Sequence, residues 1–288
     1  MIPLRDNIPS DRFPVVTLTF IVINVLVFLF LQGPSFSFSS GDAVETEPVV
    51  EYGAIPYRIT HPGEECDLAK VGITEVAPGQ FQAVPGQESL LCEGTPEYVA
   101  VAASSEPIPV EDLQQPPAFL TILTSMFMHG GWLHIAGNMI FLWIFGNNVE
   151  DSMGRLRYVL FYLLGGLTAA LAQVAIDPDA TVPLVGASGA IAAVLGGYAL
   201  LYPRARVLTL FFFFFIFFIE VPAMLLLGLW IFTQFLPAVG QLATPDLEGG
   251  GGVAYWAHIG GFLFGLAAIK LFAHRRSTHY DRPKYPVY

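Results

Sequence analysis

One hydroxyl interrupts the small-residue run "PLVGASGAIAAVLGG" at Pro183–Gly197: Ser188, between Gly186 and Gly189. Three more polar side chains stand in equally apolar surroundings, His134 and Asn138 in "HGGWLHIAGNMIFLW" and His258 in "AYWAHIGGFLFG". A serine hydroxyl is a weak nucleophile until a base takes its proton, and a neutral histidine is the usual base. His258 suits that role, alone on its helix and flanked by glycines that let another helix approach. His134 and Asn138 share one helix face by their spacing, and they could donate to the oxyanion of a tetrahedral intermediate. The Ser188 backbone N–H adds a donor if a helix begins near Ala187. Asp177 and Asp179 precede the serine segment, but nothing brings them to His258, so a Ser–His dyad is expected.

Each residue taken alone has a plainer reading. Serine is common at tight contacts between membrane helices, and histidine or asparagine can simply bond a neighbouring helix. What weighs against four plain readings at once is depth in the membrane, which depends on the elements that carry these residues.

The chain has 288 residues, 54% of them hydrophobic and only 13% charged, with a mean hydropathy of +0.58. A soluble domain would be about a quarter charged. Val15–Leu31, Tyr158–Ile176, Leu184–Tyr202 and Tyr255–Phe272 are each apolar for about the 20 residues that a bilayer crossing needs. Trp132–Phe145 is shorter but otherwise apolar, and Leu208–Leu236 is longer than one straight crossing. Arg5 and Arg12 could form the charged region of a signal peptide. Val15–Leu31 is long for such a peptide and no small-residue cleavage site follows, so an uncleaved first span is expected.

Lys and Arg are retained on the cytoplasmic side. Placing Arg5, Arg12, Arg155, Arg157, Arg204, Arg206, Lys270 and the basic tail (Arg275, Arg276, Arg282, Lys284) inside leaves Arg58 and Lys70 outside. This predicts six crossings with both termini cytoplasmic. The long apolar stretch then crosses once: Val207–Ile219 is a cytoplasmic-side or re-entrant segment, and Pro222 stands near the start of a fifth span ending about Leu236. The run "FFFFFIFF" has no polar periodicity and is expected to be bulk for lipid contact. With this topology His134, Asn138, Ser188 and His258 fall in one shallow outer layer, at about 1.5 Å of rise per helical residue.

Residues 33–117, between the first two spans, are rich in Pro, Gly, Ser, Asp and Glu and carry most of the net charge of −11. They are expected to form either a small extracytoplasmic cap or a loosely ordered loop. Glu97–Ala102 alternates too weakly to be assigned as a strand. Both cysteines, Cys66 and Cys92, lie here, and a disulfide is expected on an oxidising outer face. No metal is expected, because no second Cys or His pair stands at ligand spacing. Gly261 and Gly265 make a G-x-x-x-G face below His258. Together with Gly186 and Gly189 they are expected to let helices pack backbone to backbone.

These residues resemble the rhomboid family of intramembrane serine proteases. The resemblance covers about Leu120–Phe272. It rests on H-x-x-x-N at His134–Asn138 and on the series Trp143, Gly146, Glu150, Gly154 and Tyr158. It rests also on G-x-S-G at Gly186–Gly189 and A-H-x-G-G-x-x-x-G at Ala257–Gly265. Glu150 is expected to be structural. The resemblance implies an all-α membrane protein, a six-helix rhomboid bundle with an extracytoplasmic insertion after the first helix. Its parts would be 1–32 (N-terminus and first span), 33–117 (insertion), 118–273 (catalytic core) and 274–288 (basic tail). It implies a nucleophilic Ser188, a general base His258, and an oxyanion hole of His134, Asn138 and the Ser188 N–H. Cleavage of transmembrane substrates near the outer face follows, without metal or cofactor. The lipid bilayer is the surroundings, nucleic acid is no partner, and a bacterial inner membrane is the expected location. Gating is expected from the fifth span and from "TPDLEGGGG" before the sixth. Two departures stand out. The acidic insertion replaces or extends a usually shorter loop. Ala192 occupies the position where some members stack an aromatic on the base, so His258 must be oriented from elsewhere.

A non-proteolytic rhomboid relative that binds membrane clients is the alternative, though such proteins usually lack the serine or histidine. A transporter would want paired charges at the midplane or broken inverted repeats, and neither is evident. There is no H-E-x-x-H for a zinc protease and no pair of membrane aspartates.

Overall fold

Helix α9 (Ser188–Leu201) is the axis of the molecule, and its sequence explains why. Every residue from Ala190 to Ala199 is buried. A helix that is apolar all round must be surrounded, and its alanines and glycines let neighbours come close. In the computed structural model, which describes residues 2–33, 46–70, 72–77, 80–84, 88–103, 110–111, 113–212, 215–243 and 253–274, α8 (Arg155–Ile176) and α11 (Tyr255–Phe272) pack against it. The α9–α11 contact is backbone on backbone. A Cβ on Gly196 would strike the Phe262 carbonyl oxygen, one on Gly261 that of Gly189, and one on Gly265 that of Ala193.

Among the described residues three helices are long and apolar enough to cross a membrane: α8, α11 and α10 (Ala223–Ala243). The chain is a mostly helical, multi-pass membrane protein. α1 (Val15–Phe30) and α9 are shorter. At 14 residues α9 spans about 21 Å, less than the bilayer's hydrocarbon core. The helix expected over Leu184–Tyr202 therefore starts late. Pro183 and Gly186, whose φ is +129°, keep residues 183–187 out of the helix, so Ser188 opens α9 below the level where α8 ends. The segment expected at Trp132–Phe145 is longer than predicted. α6 (Trp132–Phe141) runs through a π-helical turn (Leu142–Gly146) into α7 (Asn147–Met153), and Gly154 at φ +80° ends it.

The fold is not all-helical, which corrects the sequence expectation. β7 (Arg206–Phe212) and β8 (Ile216–Pro222) form an antiparallel hairpin, and β1 (Ile2–Asp6) pairs with β7 on its other edge. The segment expected at Val207–Ile219 as cytoplasmic-side or re-entrant is thus a β-hairpin. Val, Ile and Phe favour strands, and a hairpin satisfies backbone polar groups next to an apolar phase. Phe212 and Phe215–Ile219 remain exposed. The sheet is tied inward by the buried Asp6 carboxylate, which accepts from the Tyr198 hydroxyl at 2.7 Å and from Asn148 Nδ2. At the same end Glu150 caps α1. Its carboxylate accepts from the backbone N–H groups of Val16 (3.0 Å) and Thr17 (2.8 Å) and from the Thr17 hydroxyl (2.8 Å).

Between α1 and α5 (Ala118–Ser125) the described residues form a small mixed unit. It contains α2 (Thr46–Tyr52), α3 (Pro56–Thr60), β2 (Cys66–Ala69), β3 (Gly72–Ala77), β4 (Gln80–Val84), β5 (Ser89–Cys92), α4 (Pro96–Ala102) and β6 (Val110–Glu111). The strands make a β5-β2-β6 sheet and a separate β3-β4 hairpin. Glu97–Ala102, too weak in alternation for a strand, lies in α4 behind the N-cap Thr95, whose side chain accepts from the Tyr98 N–H. Cys66 and Cys92 are register partners in β2 and β5 and are joined as a disulfide. Val50, Ile55, Tyr57, Leu68 and Leu113 complete this core. Arg58 is buried rather than free, with Nη2 donating to Glu65 at 2.8 Å.

This cap reaches the loop that carries Ser188. Ala54 and Leu184 exchange backbone hydrogen bonds of 3.1 and 2.8 Å, Tyr57 N–H donates to the Ala180 carbonyl (3.0 Å), and the Thr60 hydroxyl donates to the Pro178 carbonyl (2.7 Å). From α5 the Ser125 carbonyl accepts from Gly186 N–H at 2.9 Å. The loop that leads into Ser188 is thus held on both sides.

Candidate active site

Ser188 is the first residue of α9, with Ala187 as N-cap. The first four N–H groups of a helix have no partner within it, so the Ser188 amide is a free donor beside its own hydroxyl. His258 sits in the first turn of α11, where the Gly261 contact brings α11 against α9 at Gly189. The result is direct contact: His258 Nε2 lies 2.7 Å from Ser188 Oγ.

The remaining polar atoms fix which nitrogen carries the proton. Gln234, on α10, places Oε1 2.8 Å from His258 Nδ1. Its amide nitrogen donates to the Trp230 carbonyl (3.3 Å) and to the Thr233 hydroxyl oxygen (3.1 Å), whose own proton goes to the Trp230 carbonyl (2.6 Å). A carbonyl can only accept, so the NH2 faces Trp230 and the oxygen faces His258. Nδ1 therefore bears the hydrogen, and Nε2 presents a lone pair to the serine proton. The Trp230 ring stands 5.7 Å from the imidazole on its α10 side. It comes from another helix than the aromatic that Ala192 lacks.

His134 is fixed in the complementary way. Its Nδ1 accepts from Gly130 N–H at 3.2 Å, leaving Nε2 as the protonated nitrogen. A Cβ built on Gly186 would lie 2.9 Å from His134 Nε2 and 3.4 Å from Ser188 Oγ, so donor and hydroxyl flank one point. Gly186 was expected as a helix-packing residue. It lies outside the helix instead, and its missing side chain together with its positive φ keeps that point open. Gly189, Gly261 and Gly265 do lie at helix contacts. Asn138, one turn beyond His134, is buried, and its Nδ2 has no partner among the described residues. A buried donor without a partner is uncommon and marks a place where an acceptor is to be expected.

Several contributors were missed from the sequence. Gln234 and Thr233 are polar residues in an apolar helix, which was the available signal. His129 was not singled out in the sequence. Its ring stacks edge-on against His134 at 5.1 Å, and its backbone is clamped by Gln32. The lid expected at residues 244–252 and the basic tail from Arg275 lie outside the described residues.

A Rhomboid domain model matches residues 116–275, more than half of the chain, and the chain belongs to that family. It is similar to Rhomboid protein 1, mitochondrial, of Saccharomyces cerevisiae, at 29% identity over 151 residues, 51% of this chain and 40% of the yeast protein. Rhomboid-like protein 11, chloroplastic, of Arabidopsis thaliana is 31% identical over 171 residues, 58% of this chain and 57% of the plant protein. Rhomboid protease GluP of Bacillus subtilis is 42% identical over 81 residues, 28% of this chain and 15% of that protein. The chain spans less than two thirds of the length of each of these relatives.

Proposed function

We propose that the protein is an intramembrane serine endopeptidase that hydrolyses peptide bonds of transmembrane substrates near the extracytoplasmic face. The observation that carries this reading is the 2.7 Å contact between Ser188 Oγ and a base-competent His258 Nε2. Ser188 Oγ attacks the scissile carbonyl carbon as its proton passes to Nε2. The tetrahedral oxyanion accepts hydrogen bonds from the Ser188 N–H, His134 Nε2 and Asn138 Nδ2. Imidazolium then gives the proton to the leaving amine and the C–N bond breaks. Water attacks the resulting ester with His258 again taking a proton, and the carboxylate product leaves as Ser188 regains its hydrogen.

Charge supports the orientation. Arg155, Arg157, Arg204 and Arg206 lie at the end of α8 and α9 away from Ser188, while Arg58 and Lys70 lie in the cap. The positive-inside rule then turns the Ser188 end outward and leaves both termini cytoplasmic in a bacterial inner membrane. On this reading the cap of 33–117 is an extracytoplasmic insertion, and the catalytic core spans 118–273 with six crossings in all.

The test is cleavage of a model transmembrane substrate by purified protein, with fluorophosphonate labelling of Ser188. Ser188→Ala and His258→Ala should each abolish both signals while the protein stays folded. Wild-type cleavage by Ser188→Ala would remove the assignment. A folded wild-type protein that neither cleaves nor labels would favour the non-proteolytic, client-binding alternative.

A further inference from the structure

We infer that Gln234 is a positioning residue for the catalytic base, so that the orientation of His258 depends on α10 being seated against α11. This rests on the protease reading and deepens it. Among the described residues the contact of Gln234 Oε1 with His258 Nδ1 is the hydrogen bond that sets the tautomer. A bound histidine nitrogen fixes what its other nitrogen can do. Without the acceptor the imidazole can turn or exchange its proton to Nε2, and Nε2–H cannot take the serine proton.

The acceptor sits on the most loosely packed of the long apolar helices. In its membrane-length window α10 is 22% buried, against 44% for α8 and 33% for α11. Leu225, Leu229, Phe232, Phe235 and Leu236 face outward, and a Cβ on Gly228 would meet nothing. Pro237 lies within the helix and supplies no N–H for the Thr233 carbonyl, which weakens the turn that presents Gln234. On the inward face Leu227 and Ala238 are buried, flanking Gln234 along the same stripe. A shift of α10 away from α11 therefore removes the acceptor from Nδ1 directly. A substrate helix entering beside α10 must leave Gln234 in place for turnover to proceed.

The experiment uses the full-length protein in detergent micelles with Gln234→Leu, Gln234→Glu and Leu227→Ala. Gln234→Leu should lower kcat about 10- to 100-fold with KM changed less than threefold, and slow fluorophosphonate labelling in parallel. Gln234→Glu keeps an acceptor oxygen in reach and should recover most of the lost turnover. Nitrogen-15 spectra of labelled histidine should show His258 as the Nδ1–H tautomer in wild type and a mixture in Gln234→Leu. Leu227→Ala should lower turnover in wild type and add little on top of Gln234→Leu, because both act through one contact. Wild-type kcat and an unchanged tautomer in Gln234→Leu overturn the inference. So does Gln234→Glu being no better than leucine, and additive effects of the two substitutions overturn the dependence on α10. These outcomes leave Ser188 labelling in wild type intact, whereas failure of the protease reading abolishes it.

Discussion

Gly189→Ala tests the packing that brings Ser188 and His258 together. A Cβ on Gly189 would lie 2.6 Å from the Ala169 Cβ of α8. Carbon atoms rest at about 3.5–4.0 Å, so the helices must part there by about 1 Å, and an alanine methyl cannot rotate out of the way. α9 has little room to shift, because the Gly189 carbonyl already backs onto Gly261 of α11. Ser188 is the adjacent residue, and its 2.7 Å contact with His258 takes up the displacement. A misplacement of about 1 Å costs on the order of 100-fold in rate, and the overpacking should destabilise by about 1–3 kcal/mol. The assay is cleavage of a model transmembrane substrate beside an apparent melting temperature in the same detergent. Gly137→Ala, where the added methyl meets nothing within 4 Å, should keep wild-type turnover. Gly189→Ala combined with Ala169→Gly removes the opposing methyl and should regain activity. Full activity in Gly189→Ala alone, or no recovery in the double variant, would refute the argument.

Other expectations follow from contacts elsewhere. Glu150→Ala strands the Val16 and Thr17 donors at the start of α1, and at about 1–3 kcal/mol per buried donor it should lower the melting temperature sharply. Glu150→Gln should lower it less, and equal melting of both would count against the capping role. Cys66→Ser with Cys92→Ser opens a loop with a sequence separation of 26, and should destabilise the cap by about 3.5 kcal/mol on the loop-entropy scale. Limited proteolysis before and after reduction reads this directly. Gly53→Leu directs a side chain at Pro183 Cβ, which is 2.9 Å from a Cβ there, and at Val185. Turnover should fall while the melting temperature of the helical bundle stays unchanged; unaltered turnover would detach the cap from the site.

The candidate site residues were legible because polar groups are costly in an apolar span and must have a reason to be there. Ser188, His258, His134 and Asn138 stood out on that ground, and depth counted from Lys and Arg grouped them. The same reasoning should have reached Gln234, an amide four residues after Trp230 in an otherwise apolar stretch, but its helix was read only as the fifth span and a gate, and its polar residues were not weighed. The hairpin of 206–222 was not legible. Its strands are apolar on both faces, so the alternation that signals a strand is missing, and its partner β1 is some 200 residues away in sequence, as in the Ile2–Leu210 pairing. The late start of α9 was hidden too. Composition marks 184–187 as membrane-like, whereas Pro183 and the positive φ of Gly186 keep them out of the helix.

The backbone pair between Ala54 and Leu184 ties the loop that leads into Ser188 to the disulfide-closed cap. Opening free energies differ across a protein, and a site is only as durable as the least stable part it leans on. On the protease reading, the temperature at which hydrolysis stops should accordingly track melting of the small cap, several degrees before the buried helices give way. Heat inactivation would then be reversible, with the intact bundle serving as the template on which the cap refolds.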